Sequence, residues 1–126
     1  MGQQYLMDSN TVINFFNSKL NPKGRNFIAS LDPYISVITQ IELLSNKNIP
    51  SNEWDELQRF IQIATIYKPD SNIVEQTIIL RQQHKIKIPD AIIAATAFLN
   101  ELSLITRNGA DFKNISGLNV INPDTF

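Results

Sequence analysis

Short β-rich runs alternate along this chain with stretches whose apolar residues recur every three to four positions. The runs predict strands at about Gln4 to Met7, Tyr34 to Ile38, Ala64 to Lys68, Ser103 to Thr106 and Val120 to Asn122. The periodic stretches predict helices at about Thr11 to Lys19, Asn26 to Leu31, Gln40 to Ser45, Asn52 to Ile63, Ile73 to His84, and Pro89 to Glu101. Turn-forming residues punctuate them: Asn21-Pro22-Lys23-Gly24, Asp32-Pro33, Ile49-Pro50-Ser51, Pro69-Asp70 and Asn122-Pro123. No repeat, low-complexity tract or long linker interrupts the alternation. Strands alternating with helices predict an α/β fold, with a central, mostly parallel sheet flanked by helices on both faces. In such sheets ligands bind outside the carboxyl ends of the strands.

A length of 126 residues suits one domain, residues 1–126, with one sizeable core and no need of staples. Hydrophobic residues make up 43% and charged residues 18%, so the chain is globular rather than disordered. The net charge of -1 gives no sign of a nucleic-acid partner and leaves room for a local basic patch. Cysteine is absent, which excludes disulfides and thiolate chemistry. The one histidine, His84, would have to serve any Ser-His pair; ending a helix in "RQQHK", it suits the helix dipole and is assigned no catalysis. The start of the chain lacks a signal-peptide pattern, and Leu6 stands where myristoylation needs Ser or Thr. The apolar run from Ala91 to Leu99 is too short to cross a bilayer. The expectation is a soluble cytoplasmic protein without a membrane partner.

The chemistry lies in four acids, each with a plainer reading beside it. Asp8 interrupts "YLMDSNTVI" where the first strand ends; Asp-Ser-Asn is also ordinary turn and capping chemistry. Glu42 lies in Thr39-Gln40-Ile41-Glu42, which fits a capping box with Thr39 as the cap. That helix nevertheless starts at the same sheet edge as Asp8. Asp90 opens "IPDAIIAATAFLNEL", a helix apolar on nearly every face and so expected to be central. An acid after Pro89 suits the first turn, but Ala94 and Ala97 share its face and leave space for an approaching group. Asp111 follows the fourth strand in "SLITRNGADF", with Thr106 and Asn108 as further polar groups there; it reads equally as a loop or capping acid.

Taken together, the four fall at strand ends or helix starts on one edge. Like charges so gathered raise one another's pKa, and a cation relieves them. Oxygen donors without His or Cys point to Mg²⁺ or Mn²⁺, which can activate water and stabilise charge on a phosphodiester.

The segments "YLMDSNTVI", "SVITQIELL", "IPDAIIAATAFLNELSLITRNGADF" and "LNVINP" resemble a PIN-domain ribonuclease of the VapC toxin type, over nearly the whole chain and in the family's order. The resemblance implies a single PIN-like domain. It implies that Asp8, Glu42, Asp90 and Asp111 form a catalytic acidic metal site for Mg²⁺ or Mn²⁺, supported by Asn10 and Thr106. It implies endonucleolytic cleavage of RNA such as tRNA or rRNA, a homodimer, and neutralisation by an antitoxin protein.

Arg107, beside the acids, is a candidate for substrate contact or for pairing with Asp111. Arg25, with Lys23 and Lys19, is a candidate phosphate contact or part of a solvated face. Trp54, Phe60, Ile61 and Ala64 read as a core stripe, or in part as a partner surface. Three other readings stay open. One is a housekeeping RNA-processing nuclease of the same fold. The second is a haloacid-dehalogenase-type phosphatase, disfavoured because Asn10 stands where a second acid is needed. The last is a binding module whose acids are only caps.

Overall fold

The computed structural model describes residues 2–126. Five strands, β1 (Tyr5–Met7), β2 (Tyr34–Ser36), β3 (Thr65–Tyr67), β4 (Ser103–Ile105) and β5 (Val120–Ile121), form one sheet in the order β3-β2-β1-β4-β5. Every neighbouring pair is parallel. The chain moves outward from β1 to β3 and then crosses back to β4. The order therefore reverses between β1 and β4, where an open α/β sheet forms its crevice.

Among the described residues seven helices cover the sheet: α1 (Ser9–Phe16), α2 (Pro22–Ala29), α3 (Val37–Leu44), α4 (Ser51–Ile63), α5 (Ser71–Gln83), α6 (Ile88–Leu99) and α7 (Gly109–Phe112). Adjacent strand residues face opposite layers, and the core divides accordingly. Leu6 and Leu104 pack with Ile73, Leu80, Ile93 and Phe112 of α5 to α7. Met7, Ile35 and Ile105 pack with Val12, Ile28, Leu43 and Leu57 of α1 to α4. The alanines of α6, Ala91, Ala94, Ala95 and Ala97, are fully buried, so the helix comes close against the sheet and α5. Trp54, Phe60, Ile61 and Ala64 pack half-buried against the α1–α4 layer, as a core stripe should. No helix among the described residues is long and apolar enough to cross a membrane.

Several predicted boundaries move, each for a local reason. The second strand stops at Ser36 instead of running to Ile38. The Ser36 hydroxyl accepts from the Ile38 amide at 3.1 Å and caps α3. The expected capping box is thus absent: Thr39 is buried inside the helix, its hydroxyl without a partner, and Glu42 is free of any capping role. Helix α2 starts at Pro22 rather than Asn26. Asn21 caps it by accepting from Gly24 N at 2.7 Å, and Pro22 opens the first turn, where its missing N–H costs nothing. Gly24 is required there, because a Cβ would collide with the Pro123 carbonyl. Helix α1 ends at Phe16 rather than Lys19, and the chain turns away through Ser18 at a φ of 64°. Helix α7 and a closing 3₁₀ turn, Pro123–Thr125, were not expected from periodicity, being shorter than the pattern they would need to show.

Candidate active site

Asp8 leaves the end of β1 and caps α1. Its backbone amide donates to the Ile105 carbonyl at 3.0 Å, extending the β1–β4 ladder by one step. Its side chain then turns into the crevice between those strands. Oδ1 accepts from Ser9 N at 2.8 Å. Oδ2 accepts from the Thr106 hydroxyl at 2.8 Å and from Asn10 Nδ2 at 3.3 Å. The residue is only 5% exposed. Burial pushes the Asp8 carboxyl above the ordinary carboxylate range, aided by the charge of Asp111 and opposed by the three hydrogen bonds.

Thr106 and Asn10 complete a polar network at the switch point. The buried Thr106 hydroxyl accepts from Asn10 Nδ2 at 3.3 Å and from Asn108 N at 3.1 Å. Asn10 Oδ1 accepts from Arg107 N at 3.2 Å. Asn108 stands at the start of α7 without a side-chain cap, and its carbonyl accepts from Asp111 N at 3.0 Å. Asp111 is exposed in the first turn of α7.

Glu42, one turn into α3, accepts from the Ser9 hydroxyl at 3.1 Å. Burial raises its pKa, and the charges of Asp8 and Asp90 raise it further. Asp90, in the first turn of α6, is likewise raised by burial and then by Asp8 and Asp111; Lys87 pulls it partly back. The four acids therefore feel one another across the same cleft. Ser9, which holds Asp8 through its amide and Glu42 through its hydroxyl, had shown only its turn propensity in the sequence.

Two expected substrate contacts are engaged otherwise. Arg107 pairs with Asp124, not Asp111. Arg25 donates to the Phe15 carbonyl at 2.6 Å, with its guanidinium over the Phe15 ring. An apolar groove of about 480 Å³, lined by Phe16, Ile28, Phe60 and Ile63 among others, lies between α1, α2 and α4 and includes none of the four acids.

The donor set is all oxygen and carries excess negative charge, which fits a hard divalent cation. No three acidic side chains among the described residues stand close enough to enclose an ion by themselves.

The raised carboxyls make stability depend on pH. Below their ordinary pKa, Asp8, Glu42 and Asp90 are protonated in both folded and unfolded chains, and the repulsion is absent. As pH rises through the higher folded values, the native state must ionise against burial and like charge, and stability falls. Thermal melting in EDTA should accordingly shift upward as pH is lowered from neutrality toward the carboxylate range. An Asp8→Asn protein should show a shallower rise. A parent profile that only falls on acidification would mean that the cleft stores no such repulsion.

Residues 5–118 match the PIN domain family. Among curated proteins, none matches the chain by sequence. Among solved structures, the chain is similar to one in a toxin–antitoxin complex from Klebsiella pneumoniae, at 33% identity and a TM-score of 0.76, covering 95% of this chain and 98% of that one. A chain of DNA-bound VapBC from Salmonella typhimurium shares the fold at 22% identity and a TM-score of 0.79, covering 97% and 99%. A chain of FitAcB from Neisseria gonorrhoeae does so at 24% and 0.74, covering 95% and 98%. With the family matched across most of its length and this sheet order and switch point, the chain belongs to the PIN-domain family of nucleases.

Proposed function

We propose that the chain is a divalent-metal-dependent endoribonuclease that hydrolyses RNA phosphodiester bonds, and that it is the toxin of a toxin–antitoxin pair. The observation that carries this reading is the gathering of Asp8, Glu42, Asp90 and Asp111 about one crevice, with none of them in an ion pair among the described residues. Those four would hold Mg²⁺ or Mn²⁺. When bound, such an ion supplies a more acidic water and neutralises charge on the phosphodiester.

The chain's own residues do the positioning. Ser9, Thr106 and Asn10 fix both oxygens of Asp8, so that its charge is aimed and does not wander. The phosphatase reading stays disfavoured because Asn10 stands where a second acid is needed. Ser9 orients Glu42 from the opposite side. Burial of Asp8 at the N-cap of α1 keeps bulk water from screening its charge.

The toxin reading is supported by the likeness to a toxin–antitoxin complex at 33% identity. It implies an antitoxin partner. A cleft lined with carboxylates suits an arginine side chain, which pairs with them bidentately. A homodimer acting on tRNA or rRNA in the cytoplasm belongs to the same proposal. Purified free of partner, the protein should cleave total RNA in Mg²⁺ or Mn²⁺ and stop doing so in EDTA. Undiminished cleavage in EDTA would sink the metal mechanism. No cleavage with either ion would sink the ribonuclease.

A further inference from the structure

Beside the carboxylates, the connection from α5 to α6 carries unpaired positive charge. A cleft of about 450 Å³ is lined by Arg81, Lys85, Ile86, Lys87, Asp90 and Asp111. Two of the four acids thus share one cavity with three basic side chains. None of the three is in an ion pair, since Arg107–Asp124 is the one such pair among the described residues.

The loop holds its lysines outward. Ile86 is buried, while Lys85 and Lys87 on either side are exposed. Arg81, from the last turn of α5, donates Nε to the Ile86 carbonyl at 3.1 Å and ties down the backbone between them. Alternate residues of a non-helical stretch reach the same side, about 6.6 Å apart when extended. That separation resembles the spacing of successive phosphates on an extended nucleic-acid strand. Lys87 also occupies the N-cap of α6 without making a capping bond. A cation there stands against the positive end of the helix dipole. Attraction to Asp90 is a local gain for a lysine at this point, and an anion lying between the ammonium and the helix end would be favoured by both.

We propose that Lys85 and Lys87 bind backbone phosphates of the RNA next to the scissile one, with Arg81 as the positioning residue for their loop. The inference rests on the nuclease reading and names how its substrate is held. A polyanion approaching four carboxylates is repelled unless cations offset them. This wall of the cleft supplies that offset, whereas Arg25 and Arg107 are committed to Phe15 and Asp124.

The test is binding of a fluorescein-labelled single-stranded RNA oligonucleotide to the full chain in EDTA, across a range of salt. The Lys85→Ala/Lys87→Ala double variant should bind about tenfold more weakly at low salt. Its slope of log affinity against log salt should be smaller by about 1.4, the value for two lost contacts to a single strand. The Lys85→Arg/Lys87→Arg double variant should restore both, and Lys47→Ala, in the turn between α3 and α4, should change neither. In Mg²⁺ the alanine double variant should raise KM and leave kcat near that of the parent. If parent and alanine variant bind alike, or the parent shows no binding, the phosphate contact is overturned, even where the parent cleaves RNA. If the lysine-dependent slope is found and no metal supports cleavage, the contact stands and the ribonuclease falls. Loss of polyglutamate binding in the variant, with RNA binding intact, would assign the lysines to an acidic protein partner and overturn the proposal.

Discussion

Asp8→Asn protein should fold like the parent and cleave RNA about a thousandfold more slowly in Mg²⁺. Asparagine keeps the size of the side chain. Its carbonyl can still accept from Ser9 N, but its amide cannot accept from the Thr106 hydroxyl, whose oxygen already accepts from Asn10 and Asn108. What is lost on the structural side is the acceptor for the Thr106 hydroxyl and for Asn10 Nδ2, worth about 1–3 kcal/mol. Removing a buried, repelled charge offsets that loss, because burial and Asp111 both oppose the ionised carboxyl. On the functional side the loss is much larger. A neutral amide is a weak ligand for a hard divalent cation, and Asp8 is the acid whose geometry is most tightly held. Single-turnover cleavage of a defined RNA, with melting curves as the fold control, measures both halves. A well-folded Asp8→Asn protein that cleaves at the parent rate would remove Asp8 from the chemistry.

Phe112→Ala should lower stability by about 3–5 kcal/mol. For a chain of 126 residues that corresponds to a fall in Tm of roughly 10–20 °C. Phe112 is 1% exposed and is among the largest fully buried side chains. It reaches from α7 into the α5–α6 layer, beside Leu104 and Ile115. Four residues cannot hold a helix by backbone hydrogen bonds alone. The buried ring is therefore what docks α7, and with it Asp111, at the mouth of the crevice. The truncation should also weaken cleavage beyond what the unfolded fraction explains, because Asp111 loses its support. Chemical denaturation gives the stability. A cost below about 1 kcal/mol would mean that the site collapses readily and α7 is held by other contacts.

The candidate site was largely legible along the chain, because each acid stands next to a signal that local rules can read. Asp8 ends an apolar run, Asp90 follows a proline at a helix start, and Asp111 follows a strand. What was misread came from competition between local signals. Val37 and Ile38 are β-branched and read as strand, yet Ser36 caps a helix over those residues. Packing of Leu43 beneath the sheet outweighs the small preference of those residues for extended backbone. Thr39 and Glu42 matched a capping box in spacing, but the helix had already begun.

By itself, then, the amino-acid sequence determined the class of fold, the alternation of strands and helices, and the edge at which the acids gather. These depend on periodicity and on residues adjacent in the chain. Only the tertiary structure decided the partners. Asp8 meets Thr106 across 98 positions, Ser9 meets Glu42 across 33, and Arg107 chooses Asp124 over the nearer Asp111. The lysines of the α5–α6 loop face Asp111 only because α6 crosses the sheet and β4 returns beside β1. Charge and hydrogen-bonding capacity belong to each residue, but which groups come within reach of each other is set by how the layers pack.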